Sequence, residues 1–158
     1  MKIGVITDGI SRDFEHALKV MDEFGLEYAE LQFVWDKEIG FLETAEVSRA
    51  KKLLKQYGKQ VSNICHHIFA GMRMTSKPGD ELHTQHMDRL KRCMEIAHEL
   101  GSPRVRILSP KKEQVLFGAN GAEKWNVAKG AWDALPPLIS PAVELAKKEK
   151  LQLVIETG

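Results

Sequence analysis

Leu151-Gln152-Leu153-Val154-Ile155-Glu156-Thr157-Gly158 closes the sequence with a short, β-branched apolar run that carries a carboxylate near its end. A run of this kind reads as a strand buried on both faces, as in a parallel sheet. A Glu at the C-terminal tip of such a strand sits at the mouth of the sheet, where parallel α/β folds bind their ligands. A strand buried on both faces also needs a covering helix, and none follows Gly158, so the sequence reads as incomplete.

Upstream, strand and helix patterns alternate. Lys2–Ile6 reads as a first strand, and Ser11 as the N-cap of a helix that buries Phe14, Ala17, Leu18, Met21 and Phe24 before Gly25 ends it. Tyr28–Val34 reads as a second strand, with Glu30 and Gln32 on one face and Leu31 and Phe33 on the other. Thr44 then caps a helix carrying Val47, Ala50, Leu54 and Tyr57 inward. Gln60–His66 is the third strand, followed by a longer loop holding His67, Phe69 and Gly79, of the kind that carries function. Asp80 caps a third helix with Leu82, Leu90, Met94, Ala97 and Leu100 on its buried side, and Arg104–Leu108 is the fourth strand. Residues 109 to about 134, which include Gly118, Gly121, Gly130, Trp125 and Trp132, read as a loop with a short irregular helix. Pro136, Pro137 and Pro141 fit the start of the fourth helix.

About five strands alternating with four helices predict an α/β fold with a parallel sheet. A doubly wound sheet would need a fifth helix, and Thr7-Asp8-Gly9-Ile10-Ser11 has too few glycines for a phosphate cradle. The preferred architecture is an incomplete (β/α) TIM barrel, in which residues 1–158 are the N-terminal part of a single domain that normally takes about 250 residues.

Composition narrows the partners. With 23 basic against 22 acidic residues there is no field to hold nucleic acid, and no apolar run approaches the roughly 20 residues of a membrane span. A cytoplasmic protein acting on a small molecule is expected. Cys65 and Cys93 have neither disulfide-framework nor zinc spacing and read as packing residues.

Glu156 is the leading functional residue, because a lone acid directly after Leu153-Val154-Ile155 is costly to bury unpaired. Glu30 either points into the lumen near the site or pairs with a cation such as Arg106. His66 and His67 fall on opposite faces of an extended segment, so at most one points inward, as a ligand or substrate contact or as a structural histidine. His83 and His86 have metal-site spacing but read as solvated surface. Trp35, Phe69, Trp125 and Trp132 could wall a sugar pocket, and ordinary packing explains them equally.

Tyr28-Ala29-Glu30-Leu31-Gln32 with Val34-Trp35-Asp36-Lys37, Val61-Ser62-Asn63-Ile64, Ala97-His98-Glu99-Leu100-Gly101 with Val105-Arg106-Ile107, and Val154-Ile155-Glu156 together resemble the xylose isomerase-like barrels. More narrowly, they resemble the sugar phosphate isomerase/epimerase group of that superfamily, which also holds endonuclease IV. The resemblance implies that Glu156 is both a divalent-metal ligand (Mn²⁺, Mg²⁺ or Zn²⁺) and an acid/base carboxylate; Glu30, His66 and His67 are read as substrate contacts from their places on the strands. It implies an isomerase or epimerase moving a proton next to a carbonyl, or a metal-dependent dehydratase built from similar parts. Its remaining metal ligands lie on strands six to eight, so the 158 residues alone are expected to be inactive and to bind metal weakly. The nuclease branch is disfavoured, because strand four ends Ile107-Leu108-Ser109-Pro110 without a histidine. A reading of a different class is a non-catalytic half-barrel that self-associates through its open strand edges; a homo-oligomer is expected.

Overall fold

Strands separated by a helix long enough to cross back lie parallel, and the computed structural model, which describes residues 3–110 and 130–156, shows this arrangement. The strands are β1 (Gly4–Ile6), β2 (Tyr28–Leu31), β3 (Phe33–Val34), β4 (Lys37–Glu38), β5 (Gln60–Cys65), β6 (Arg104–Leu108) and β7 (Gln152–Glu156). The helices are α1 (Phe14–Glu23), α2 (Thr44–Gln56), α3 (Glu81–Leu100) and α4 (Ala131–Lys148). One parallel sheet runs β1-β2-β5-β6-β7, so spatial order follows chain order and the doubly wound alternative is excluded. Each helix touches the next along the chain, α1 with α2, α2 with α3 and α3 with α4, which places all four in one layer. This is an arc of a (β/α) barrel.

The core lies between sheet and helices. Ala29, Leu31, Val61, Ile64, Val105 and Ile107 are buried there with Leu18, Met21, Val47, Leu90 and Met94. In β5 one extra residue shifts the register between Ala29↔Val61 and Glu30↔Asn63, a bulge that puts Asn63 opposite Glu30 and leaves Cys65 opposite Arg106. The polar residues of the strands therefore share the inner face. Among the described residues no helix is long and apolar enough to cross a membrane.

Several sequence expectations are corrected. The second strand stops at Leu31, and Phe33–Val34 leaves the sheet to pair antiparallel with Lys37–Glu38 across Trp35 and Asp36, both in the left-handed region. Asp13, not Ser11, caps α1, because its Oδ1 accepts from His16 N while the Ser11 hydroxyl takes the Asp13 amide. Glu43, not Thr44, caps α2, with the Glu46 carboxylate accepting the Glu43 N–H at 2.8 Å. Phe24 and Leu82 are exposed, Phe24 because it is the α1 C-cap. The three prolines lie inside α4, where the Ser140 hydroxyl donates to the Pro136 carbonyl, and Trp132 sits in its exposed first turn. β7 is the edge of the described sheet and is not buried on both faces; Ile155 is exposed. Lys2, Trp125, Gly118, Gly121, Thr157 and Gly158 lie outside the described residues.

Candidate functional site

Because parallel partners point to the same side, Glu30, Cys65, Arg106 and Glu156 come from four strands onto one inner face. Arg106, buried at the centre, makes an ion pair with the Glu156 carboxylate through Nη1, and the same nitrogen lies 3.6 Å from Glu30 Oε1. The same Glu30 oxygen accepts the Cys65 thiol at 2.7 Å. Burial first, and then the Glu30 hydrogen bond, push the Cys65 thiol far above its ordinary value, so it acts as a donor and not as a nucleophile. Asn63 Oδ1 and Arg106 Nε are buried without a hydrogen-bond partner on this face. Both sequence alternatives for Glu30, lumen and pairing with Arg106, hold together.

His66 and His67 join a second cluster beyond the tip of β5. The expectation that they face apart is corrected: β5 ends at Cys65, and both ring Nδ1 atoms reach Glu38 and both line one cavity, His66 buried beside Gly40 and Phe41 and His67 half-exposed against the hairpin. Glu38 Oε1 accepts the His67 backbone N–H at 2.7 Å and lies 2.5 Å from the ring Nδ1, and His67 Nε2 lies 3.1 Å from the Gln32 amide nitrogen. His66 Nδ1 is 3.3 Å from the same oxygen, and burial, followed by the nearby Arg89 charge, pushes its pKa down to about 3. A cavity of about 680 Å³ opens beside Glu38, Phe41, His67, His86 and Arg89.

The histidines read as solvated are not. His83 is buried because α4 covers it; its Nε2 donates to the Leu138 carbonyl at 3.0 Å and its ring stacks on Phe69. His86 accepts the Phe69 amide at Nδ1, and burial, then His83, lowers its pKa. Trp35 packs edge-on against Phe14 under the Arg49 guanidinium, and Phe69 is fully buried, so neither is a pocket wall. Sequence reasoning missed Glu38 and Gln32, since the hairpin that turns them toward His67 was hidden in an unbroken alternation.

Glu156 offers one half-exposed carboxylate, whereas a hard divalent ion takes about six ligands, mostly oxygen. Among the described residues no group of three or more His, Cys, Asp or Glu side chains is arranged to hold a metal ion. Among the described residues Glu156 is thus a single carboxylate at the tip of β7, not part of a metal-binding group.

Parallel strands in sequential order, one outer helix layer and a charged inner face define a (β/α)-barrel arc with its ligand rim at the strand tips. The chain belongs to the xylose isomerase-like TIM barrel family, whose model matches residues 18–158. The fold is similar to that of the IolI protein solved with a zinc atom, at TM-score 0.66 and 16% identity, covering 99% of this chain and 51% of that one. It is similar to L-ribulose 3-epimerase at TM-score 0.62 and 17% identity, covering 98% and 49% of the two chains. A xylose isomerase-like TIM barrel protein from Mycobacterium smegmatis in complex with magnesium matches at TM-score 0.61 and 14% identity, covering 90% and 45%. The chain spans about half the length of these structures. No curated protein matches the sequence.

Proposed function

We propose that this chain forms part of a metal-dependent isomerase or epimerase that moves a proton next to the carbonyl of a small sugar or hydroxy-carbonyl compound. The observation that carries the reading is Glu156, a half-exposed carboxylate at the C-terminal tip of β7, steered by the buried Arg106. Zinc and magnesium in two similar folds support a divalent ion, and an epimerase among them supports the reaction class. When bound, such an ion supplies polarisation of the carbonyl. Among the described residues Glu156 is the ligand contributed. Its second role is to accept the substrate proton, and Arg106 fixes the carboxylate's direction at the rim. Glu30, pinned by Cys65, keeps the guanidinium in place from below.

The test uses the protein that carries these residues, saturated with Mn²⁺ and incubated with a ketose panel in deuterium oxide. Deuterium should enter next to the carbonyl. Glu156→Gln keeps the shape and removes both charge and base, and it should lower turnover by about 10²–10⁴-fold with the fold intact. Near-normal turnover by that variant would remove Glu156 from the mechanism.

A further inference from the structure

Two histidines of α3 hold the segment that follows β5, and neither belongs to the cluster around Glu156. The Phe69 N–H donates to His86 Nδ1 at 3.1 Å, and the Gly79 N–H donates to His83 Nδ1 at 3.3 Å. A ring nitrogen that accepts a hydrogen bond carries no proton, so both rings are neutral and bear their proton on Nε2. His83 gives that proton to the Leu138 carbonyl of α4, while His86 Nε2 is buried without a partner. The segment they hold is part of the core: Ile68, Phe69 and Met72 are fully buried, and the Phe69 ring stacks on His83 and meets His86 edge-on. Phe69 stands at φ 67°, which costs a side chain of this size, so contacts and not backbone preference keep the segment in place. Its start reaches the rim. The Leu108 N–H donates to the Ile68 carbonyl at 2.9 Å, Leu108 pairs with Glu156 across β6 and β7, and the Ser109 N–H donates to the Glu156 carbonyl at 3.0 Å.

A proton added at either Nδ1 sets N–H against N–H, which breaks the bond to the segment and leaves a donor facing a donor. Little around the rings favours the charged form. Glu38 of β4, His66 and His67 after β5, and Asp88 and Arg89 of α3 share the cavity beside His86; of the carboxylates, Glu38 is bound to His67 and Asp88 to Lys91. His83 faces His86 from the same helix, and α4 offers His83 the Leu138 carbonyl. Among the described residues the ion pairs of histidine belong to His66, His67 and His98, so Arg73, Lys77 and Asp80 of the segment and Asp133 of α4 pair with neither ring. We propose that His83 and His86 form an acid-released latch: neutral, they hold residues 67–79 against α3 and keep the Ile68 carbonyl on the tip of β6 beside Glu156, and protonation at Nδ1 frees the segment. Burial, then His83, lowers the His86 pKa from the ordinary 6.5. Below 6.5 the freed segment therefore binds a proton that the latched one excludes, and the latch, complete above 6.5, weakens as pH falls. It does not depend on the isomerase reading.

Amide hydrogen exchange followed by NMR in nitrogen-15-labelled protein tests the latch. Between about pH 6.5 and about pH 5, protection of the Phe69 amide, corrected for the intrinsic pH dependence of exchange, should fall by about tenfold or more, and the Gly79 amide should follow. Ala50 and Leu54, inside α2, should keep theirs over the same range. His86→Asn places an amide oxygen where Nδ1 stands, which accepts the Phe69 N–H and does not titrate. This variant should protect Phe69 and lose the pH dependence. A Phe69 amide whose protection does not change with pH overturns the latch. So does an equal fall in His86→Asn, which assigns the effect to another group such as His66. Loss of protection at Ala50 and Leu54 in step with Phe69 means that acid unfolds the whole molecule, and it overturns a local latch. The ring itself gives a test that needs no folded variant: nitrogen-15 shifts of His86 in wild-type protein at about pH 7.5 should show the proton on Nε2, and a proton on Nδ1 overturns the proposal.

Discussion

At His66, burial decides the charge. The buried ring lies beside Gly40 and Phe41, and burial first, then the Arg89 charge, pushes its pKa down to about 3 from the ordinary 6.5, although Glu38 lies 3.3 Å away. Between those two values the unfolded chain binds a proton that the folded chain excludes. The stability contributed by the neutral ring is therefore complete above 6.5 and is lost as pH falls toward about 3. His66→Gln should flatten the fall of Tm with acidification over this window, compared with wild type. Parallel pH–Tm curves for the two proteins would show that His66 is not the group responsible. At this scale the sequence was partly legible. Strand alternation allowed Glu30 to meet Arg106, but it turned His66 and His67 apart, whereas both ring Nδ1 atoms reach Glu38 because β5 ends at Cys65. It could not show that one oxygen of Glu38 would lie beside both histidines, because that contact spans 29 residues and depends on a turn with no glycine to announce it.

The hairpin of β3 and β4 and the Gly40–Phe41 turn form the element that brings Glu38 to the tip of β5. Gly40 is there for closeness: a Cβ would lie 2.7 Å from Arg89 Cδ, 3.0 Å from Cys93 Sγ and 3.1 Å from His66 Nδ1. Arg89 cannot yield easily, because it donates to the Gly40 carbonyl and lies 3.8 Å over the Phe41 ring. Gly40→Ala should destabilise the protein by about 1–3 kcal/mol through overpacking. Equilibrium denaturation reads this directly, and an unchanged midpoint would mean that the turn gives way without cost. The same element explains where sequence reading broke down. Helices α1, α2 and α3 were legible because their apolar spacing is regular, whereas the apolar–polar alternation of Ala29–Leu31 continues through Gln32 and Phe33 although the chain has left the sheet. The fourth helix was legible too, but its three prolines hid its start, which lies ahead of them at Ala131; its buried residues Leu138, Ala142 and Ala146 keep helical spacing.

For the whole molecule, order and handedness follow from five strands linked by helices on one side, which is why the barrel arc could be read from spacing alone. What spacing cannot report is the state of the edges. Among the described residues β7 pairs only with β6, and its outer side presents Ile155, half-exposed, next to a groove of about 280 Å³ lined by Ile107, Ile139, Val143, Leu151 and Leu153. A strand edge with unpaired backbone groups and an apolar flank is a template for another strand. We propose that a second copy of the same chain occupies it, because two identical β7 edges related by a two-fold axis pair antiparallel and bring their apolar flanks together. A net charge of +1 offers little repulsion to oppose this. The 158-residue polypeptide should therefore sediment as a concentration-dependent dimer or larger species. Ile155→Lys, which places a charge on the shared edge, should shift it toward monomer. Sedimentation of the wild-type chain as a compact monomer at high concentration would refute the pairing, and so would an Ile155→Lys variant that associates as strongly as wild type.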